Sequence, residues 1–320
     1  MISKKYTLIP IIILSVLLTA CGIGGSVDEK VAAAQSRNDG PPIWIVKDED
    51  STLYLYGTVH LLSEDMDWQR EDMKAAFGEA GTIYFEIDTA DTAQLELSVL
   101  TQTLGFFQNG ETLTDHMDNY QLNLFEAVVH NGKLTRELLK GMKPWLASEL
   151  LTVSAANEAG LFSDFAADET LKMQAQHLGK NIIYLDTIKR QIHASADQSR
   201  DVQMTLLTET MANYSQLGQN LSDIADAWAV GNAKELERVA LEPFQLSSSE
   251  FYQALRVDRN HLWVSEFENF MNRSGTAFAA IGIAHLLGED SLQDILRENG
   301  YGVERYYAFQ GENVIKSALE

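Results

Sequence analysis

Two stretches of the chain share one grammar. Residues 52–62 read "TLYLYGTVHLL" and residues 277–287 read "AFAAIGIAHLL". Each is an apolar run, a glycine, two residues, a histidine and then Leu-Leu. A glycine at a strand end permits a sharp turn or the close approach of another group. The histidine then stands at the strand's C-terminal edge, where open α/β sheets bind ligands. His60 and His285 meet if their strands are neighbours. Two imidazoles need a third donor to make a catalytic metal site, and a carboxylate that leaves one position open for water is the usual choice. Glu86 fits, because it ends the strand "TIYFE" and a helix separates it from His60. Strand, helix, parallel strand puts Glu86 on the same edge as His60. One G-x-x-H alone is a weak pattern, and a lone histidine at a strand end is usually structural. The repetition makes the pair a candidate site.

The elements that must carry these residues follow from periodicity. The folded part begins near Pro42. "IWIVKDEDSTLYLYG" is two apolar runs around a polar turn and predicts a hairpin over about 43–57. "DWQREDMKAAFGEAG" predicts a helix with Trp68, Met73, Ala76 and Phe77 on its apolar face. From about 91 to 178 the pattern is helical, including "KPWLASELLTVSAANEAG", which opens on Pro and closes on Gly. "NIIYLDT" (181–187) reads as a buried strand, and long helices follow over roughly 197–230 and 246–273. "TAFAAIGIAH" (276–285) is a strand of small apolar residues, "SLQDILRENG" a short helix and "VERYYAF" (303–309) a last strand. The expectation is an α/β (α+β) fold. Its mixed central sheet is built from N- and C-terminal segments of one domain, 42–310, with a large helical insertion at about 91–178 and a tail at 311–320.

Bulk composition narrows the function. The chain has 320 residues, 45% hydrophobic and 22% charged, which suits a folded globular protein. Its net charge of −22 and pI near 4.6 argue against a nucleic-acid partner, which needs clustered Lys and Arg. No G-x-G-x-x-G, Walker A, H-E-x-x-H or G-x-S-x-G pattern is present. That disfavours dinucleotide binding, phosphoryl transfer, common zincin chemistry and α/β-hydrolase chemistry. His116, His130, His177, His193 and His261 sit in helical or polar segments and read as surface or packing residues. Trp145, Trp228 and Trp263 lie among apolar residues at helical spacing and read as core.

The N-terminus has its own signal. "MISKKYTLIPIIILSVLLTA" places Lys4 and Lys5 before an apolar stretch too short for a comfortable membrane span, which is the pattern of a secretory leader. "LTAC" at 18–21 resembles the lipobox of bacterial lipoproteins. That implies cleavage before Cys21, the only cysteine, and lipid on it. Residues 22–41 are polar and glycine-bearing and read as a tether. Gly rather than Asp at position 22 implies, by resemblance to Gram-negative sorting, the outer membrane facing the periplasm. The membrane is then a partner through the lipid on Cys21.

The ordered set "YGTVHLL" (56–62), "IYFEID" (83–88), "RN" (259–260) and "AIGIAHLLGEDSLQDILRENGYGVER" (280–305) resembles the TraB/GumN family. That family is related to the Tiki membrane proteases, which act in a metal-dependent way, and to the erythromycin esterase and ChaN haem-binding folds. The resemblance covers about 42–310. It implies an α/β core and a site holding His60, Glu86 and His285. It also matches Arg259 and Asn260 to the family's Arg-Asn pair. A bidentate guanidinium suits a carboxylate or an oxyanion, so Arg259 either orients Glu86 or holds a substrate carbonyl. Asp168, in "FAADETLKMQAQ", stands where relatives often carry an acid. "YLDTIKRQ" (184–191) departs from the family by offering Asp186 in place of Glu, while Gln191 is retained.

The expected function is a lipid-anchored, metal-dependent hydrolase of peptides or proteins. His60, Glu86 and His285 hold a divalent ion (Zn, Mn or Co), or Glu86 acts as general base. Arg259 and Asn260 complete the site. The alternative is a non-catalytic envelope protein that captures a peptide or haem. A third reading is a structural envelope lipoprotein with a relic site.

Overall fold

The computed structural model describes residues 40–108 and 110–306. The leader, Cys21, the tether as far as residue 39 and the C-terminal tail lie outside the described residues, and the tether's last two residues, Gly40 and Pro41, are buried. Among the described residues, six strands form one mixed sheet: β1 (Ile43–Lys47), β2 (Ser51–Thr58), β3 (Thr82–Phe85), β4 (Asn181–Tyr184), β5 (Gly275–Gly282) and β6 (Val303–Arg305). Their spatial order is β4-β3-β5-β2-β1-β6. β4, β3, β5 and β2 run parallel to one another. β1 is antiparallel to both β2 and β6. The expected hairpin is present, with Ile43 opposite Tyr56 and Lys47 opposite Thr52.

Among the described residues, nine helices of seven or more residues accompany the sheet. They are α1 (Glu71–Glu79), α2 (Asp91–Leu104), α3 (Asn119–Asn131), α4 (Pro144–Glu158), α5 (Ala167–His177), α6 (Ile188–Ala196), α7 (Arg200–Ala229), α8 (Asp258–Met271) and α9 (Leu292–Glu298). The strand sequences explain the layering. β5 is built of Ala277, Phe278, Ala279, Ala280 and Ile281, all buried, as suits a central parallel strand covered on both faces. Its alanines let neighbours approach closely. Phe77 and Tyr56 pack on Phe278 with ring centroids 5.4 Å apart in each case, and Tyr84 meets Phe267 of α8 edge-on. A second apolar cluster, away from the sheet, joins α2, α3 and α4 to α6 and α7 through residues such as Leu97, Phe125, Trp145, Ile192 and Leu207. This second cluster does not coincide with 91–178, since it draws on α6 and α7 while α5 and the end of α4 pack in the sheet's cluster. Between α4 and α7, the Ser148 and Thr210 hydroxyls share a hydrogen bond at 2.7 Å. Among the described residues no helix is long and apolar enough to cross a membrane.

Two local readings need correction. The strand at 181–184 is an edge strand with Asn181 exposed and Ile182, Ile183 and Tyr184 half-buried, rather than a buried one. An apolar run of four cannot distinguish centre from edge. The helix expected over 246–273 is interrupted at Ser248, whose backbone is extended, and then runs through a π-turn at Gln253–Val257 into α8. Of the last predicted strand, Val303–Arg305 is a strand, and its remainder falls mostly outside the described residues.

Candidate metal centre

Four neighbouring parallel strands end at one edge, and each delivers a polar side chain there. Asp186 lies just beyond β4, Glu86 directly after β3, His285 three residues after β5 and His60 two residues after β2. The register places Thr58 beside Gly282 and Phe85 beside Ala280. β3 and β4 stay paired past their ends, because Asp186 N–H donates to the Glu86 carbonyl at 2.7 Å. The first motif is pinned from behind. Trp228 Nε1–H donates to the Gly57 carbonyl at 2.7 Å.

The motif glycines answer to space rather than to backbone sign, since neither has a positive φ. A Cβ on Gly57 would stand 2.3 Å from Ile283 Cδ1. A Cβ on Gly282 would stand 2.8 Å from Glu86 Oε1 and 3.1 Å from His60 Nε2. The second glycine thus makes room for the first motif's histidine and for the carboxylate.

Glu86 is held on both oxygens. Gly282 N–H donates to Oε1 at 2.7 Å and Arg259 donates to Oε2 at 2.7 Å. Burial favours the neutral acid, but Arg259 foremost, with His60 and the Gly282 N–H, outweighs it and holds the carboxyl at about 2. Arg259 is itself buried. Its Nε donates to Asp186 at 2.9 Å, and its plane lies 4.5 Å from the Trp263 ring. Asp186 also accepts from Arg190 at 2.7 Å and from Thr187 N–H at 2.7 Å. Arg259 therefore orients Glu86, one of its two expected roles, and does so while anchored on Asp186. Asp186, read above as a departure from the family, thus takes part in the site's hydrogen bonding. That aspartate ends its strand as Glu86 does, a likeness that would have found it in the sequence.

The two histidines differ. His60 Nδ1 lies 3.0 Å from Asp168 Oδ1. Burial opposes the imidazolium, yet Asp168, then Glu86 and Glu169, outweigh it and push the group up to about 9. His285 is fully buried, and burial first, then the nearby Arg259 and Arg256 charges, push it well below the ordinary histidine range. Its Nδ1 lies 2.6 Å from Asn260 Oδ1. Asn260 spends its amide hydrogens on the Asp290 carbonyl at 2.7 Å and the His285 carbonyl at 3.4 Å. Oδ1 is therefore the acceptor, the proton sits on His285 Nδ1, and Nε2 carries the lone pair. Arg259 Nη1 lies 3.4 Å from that lone pair. Arg256, also buried, ties down the loop by donating to the carbonyls of Ala284 and Leu287. Trp263 stacks on His285 at 4.4 Å as well as on Arg259, a role beyond core filling.

The donor set suits a divalent ion in kind. Both imidazoles have Nδ1 fixed on an oxygen, the usual support of a metal-ligating histidine, and Glu86 is anionic beside them. An ion on His60 Nε2 would displace that group's proton. In the described arrangement Arg259 serves Glu86 and faces His285 Nε2, so a guanidinium stands where a third ligand would act. Among the described residues no three His, Cys, Asp or Glu side chains form a ready metal-binding group. A cavity of about 370 Å³ opens onto His60 and Glu86, with Phe85, Leu97, Ile188 and Gln191 in its walls.

Comparison with known proteins places the sequence. The TIKI2 metalloprotease of Danio rerio is 22% identical over 307 residues, covering 78% of this chain and 58% of that protein. The TIKI1 metalloprotease of Homo sapiens is 21% identical over 321 residues, covering 82% and 61%. The chain thus spans less than two thirds of the length of these Tiki relatives. The uncharacterized protein YbaP of Escherichia coli (strain K12) is 24% identical over 259 residues, covering 80% of this chain and 92% of that protein. No solved structure matches. The TraB/PrgY/gumN family profile matches residues 42–305, the span that includes both G-x-x-H motifs, Glu86 and the Arg259-Asn260 pair, and the chain belongs to that family.

Proposed function

We propose that this chain is a metal-dependent hydrolase of peptides, tethered to the envelope by lipid on Cys21 and facing the periplasm. One observation carries the reading. Both G-x-x-H motifs and Glu86 end neighbouring strands at one sheet edge; His60 and Glu86 line a cavity, His285 is buried against Arg259, and each histidine's Nδ1 lies against an oxygen. The names of the Tiki relatives support it from outside.

His60 and Glu86 would hold the ion, and His285 would be the third donor only where the Arg259 guanidinium moves off its Nε2. When bound, the ion polarises a carbonyl and lowers the pKa of a water. The remaining work belongs to the chain. Asp168 holds the His60 ring by Nδ1. Arg259 and Gly282 N–H keep Glu86 ionised and fixed in direction. Asn260 fixes the His285 tautomer. The apolar walls at Phe85, Leu97 and Ile188 exclude water around a bound peptide.

The test is metal analysis by mass spectrometry on chain purified without a metal-binding tag and equilibrated with Zn, Mn or Co. Wild type is run beside His60→Ala, Glu86→Ala and His285→Ala. About one ion per chain is expected in wild type, lost in each variant while circular dichroism is unchanged. Cleavage of a peptide library, abolished by chelator, completes the expectation. Absence of bound metal under all three conditions refutes the reading, and a stoichiometric haem absorbance band would favour capture instead.

A further inference from the structure

The cavity beside His60 and Glu86 has a charge pattern that the hydrolase reading does not use. Five carboxylates line it, Glu86, Asp88, Asp164, Asp168 and Glu169, against His60 and Lys172. Three of the five are matched. Glu86 has Arg259 at 2.7 Å, Asp168 has His60 at 3.0 Å, and Glu169 has the buried Lys172 at 2.8 Å. Asp88 and Asp164 form no ion pair among the described residues. Asp88 accepts the Ala90 N–H at 2.9 Å and a hydrogen bond from the Tyr184 hydroxyl, neither of them a cation, and Asp164 is exposed. Two acids on open surface would simply be solvated. These two line one concave cavity, Asp88 half-buried and Asp164 exposed, and a cavity lined by one sign of charge concentrates its field.

A second observation comes from the cavity's protein side. Thr58 is the last residue of β2, lines the same cavity and is 1% exposed. Its hydroxyl has no hydrogen-bond partner. A buried hydroxyl without a partner is costly, and a guest that supplies one relieves that cost. The cavity therefore combines surplus negative charge, apolar walls and an unmet polar group near the reacting edge.

We propose that the cavity takes a peptide by a primary ammonium group, seated against Asp88 and Asp164, with a backbone amide reaching Thr58. The ammonium is either the peptide's free N-terminus or a lysine side chain. The inference deepens the peptide-hydrolase reading and rests on it for the substrate class.

Three fluorescent pentapeptides with one backbone test it by anisotropy on the full chain. The first has a free N-terminus and norleucine, the second is N-acetylated with lysine, and the third is N-acetylated with norleucine. At least one ammonium-bearing peptide is expected to bind roughly fivefold tighter than the neutral third. Which one does so identifies the source of the ammonium. The advantage should vanish in the double variant Asp88→Asn, Asp164→Asn. It should survive in Asp201→Asn, a control for net charge at the start of α7. Thr58→Val should weaken all binding peptides alike. Equal affinity for the neutral peptide, an advantage that survives the double variant, or no binding at all overturns the proposal. Recovered peptide is then checked for cleavage by mass spectrometry. Selective binding without cleavage would count against the hydrolase reading alone, and cleavage without ammonium preference would count against this one alone.

Discussion

Gly282 donates its backbone N–H to Glu86 Oε1 at 2.7 Å, so the glycine of the second motif is a binding group of the site as well as its hinge. The N–H survives substitution but the space does not. Gly282→Ala puts a methyl 2.8 Å from that same oxygen and 3.1 Å from His60 Nε2. The expected cost is about 1–3 kcal/mol of stability from overpacking. Metal binding and hydrolysis should fall much further than stability does. Urea denaturation beside metal titration checks this, and unchanged metal affinity would contradict it.

Arg259 bridges two buried carboxylates, Glu86 and Asp186, through different nitrogens. A lysine ammonium is a point charge and cannot reproduce that fork. Arg259→Lys should cost about 3–5 kcal/mol by leaving buried negative charge poorly compensated. The double variant Arg259→Met, Asp186→Leu should be less destabilised than Arg259→Met alone. Denaturant midpoints of the set decide it.

Asp168 sets the proton affinity of His60 in the metal-free chain. Asp168→Asn keeps an acceptor for Nδ1 and removes the charge. The His60 pKa should fall from about 9 toward the ordinary value, by a unit or more, as followed by NMR. The sign for stability follows from linkage. His60 is raised in the folded state, so its contribution is full below the unfolded value of about 6.5 and is lost as pH rises through about 9. The variant should lose that dependence, and hydrolysis should drop roughly 10–100-fold, as for other outer-shell partners.

Glu149 gives a pH effect far from the candidate centre in sequence. It is buried on α4, and burial pushes its carboxyl up to about 8. A raised carboxyl stabilises the fold fully below the unfolded value of about 4.5, and that contribution is lost as pH rises through about 8. Glu149→Gln should flatten the stability profile between those limits and leave the chain more stable than wild type at pH 8. Thermal denaturation from pH 5 to 9 is the check, and parallel profiles would refute it.

Much of this was legible in the sequence because strand and motif coincide. Gly57 and Gly282 end apolar runs, and the order of strand, helix and strand put Glu86 on their edge. The Arg259-Asn260 pair was legible through the family resemblance, and the structure supplies its contacts. Asp168 was seen only weakly, since it approaches His60 across 108 residues and no local period reports such a meeting. Asp186 was read as a departure, because its link to Glu86 passes through a third residue, Arg259. The π-turn at Gln253–Val257 adds no composition that distinguishes it from an α-helix, so the interruption before Arg259 was invisible.

β5 lies between β3 and β2, and that position has a consequence in time. β1 and β2 can pair as a hairpin, and β3 can pair with β4, but nothing joins these halves until β5 is in place. β5 emerges more than 220 residues after β2 begins. The loop that must close is long and the contact non-local, so this step belongs to the slow part of folding. A chain still being made, or cut short before residue 275, holds His60 and Glu86 without the strand that brings them together. The centre is thus completed late, since a chain that stops before residue 275 lacks the Gly282 N–H that fixes Glu86 and lacks His285 altogether.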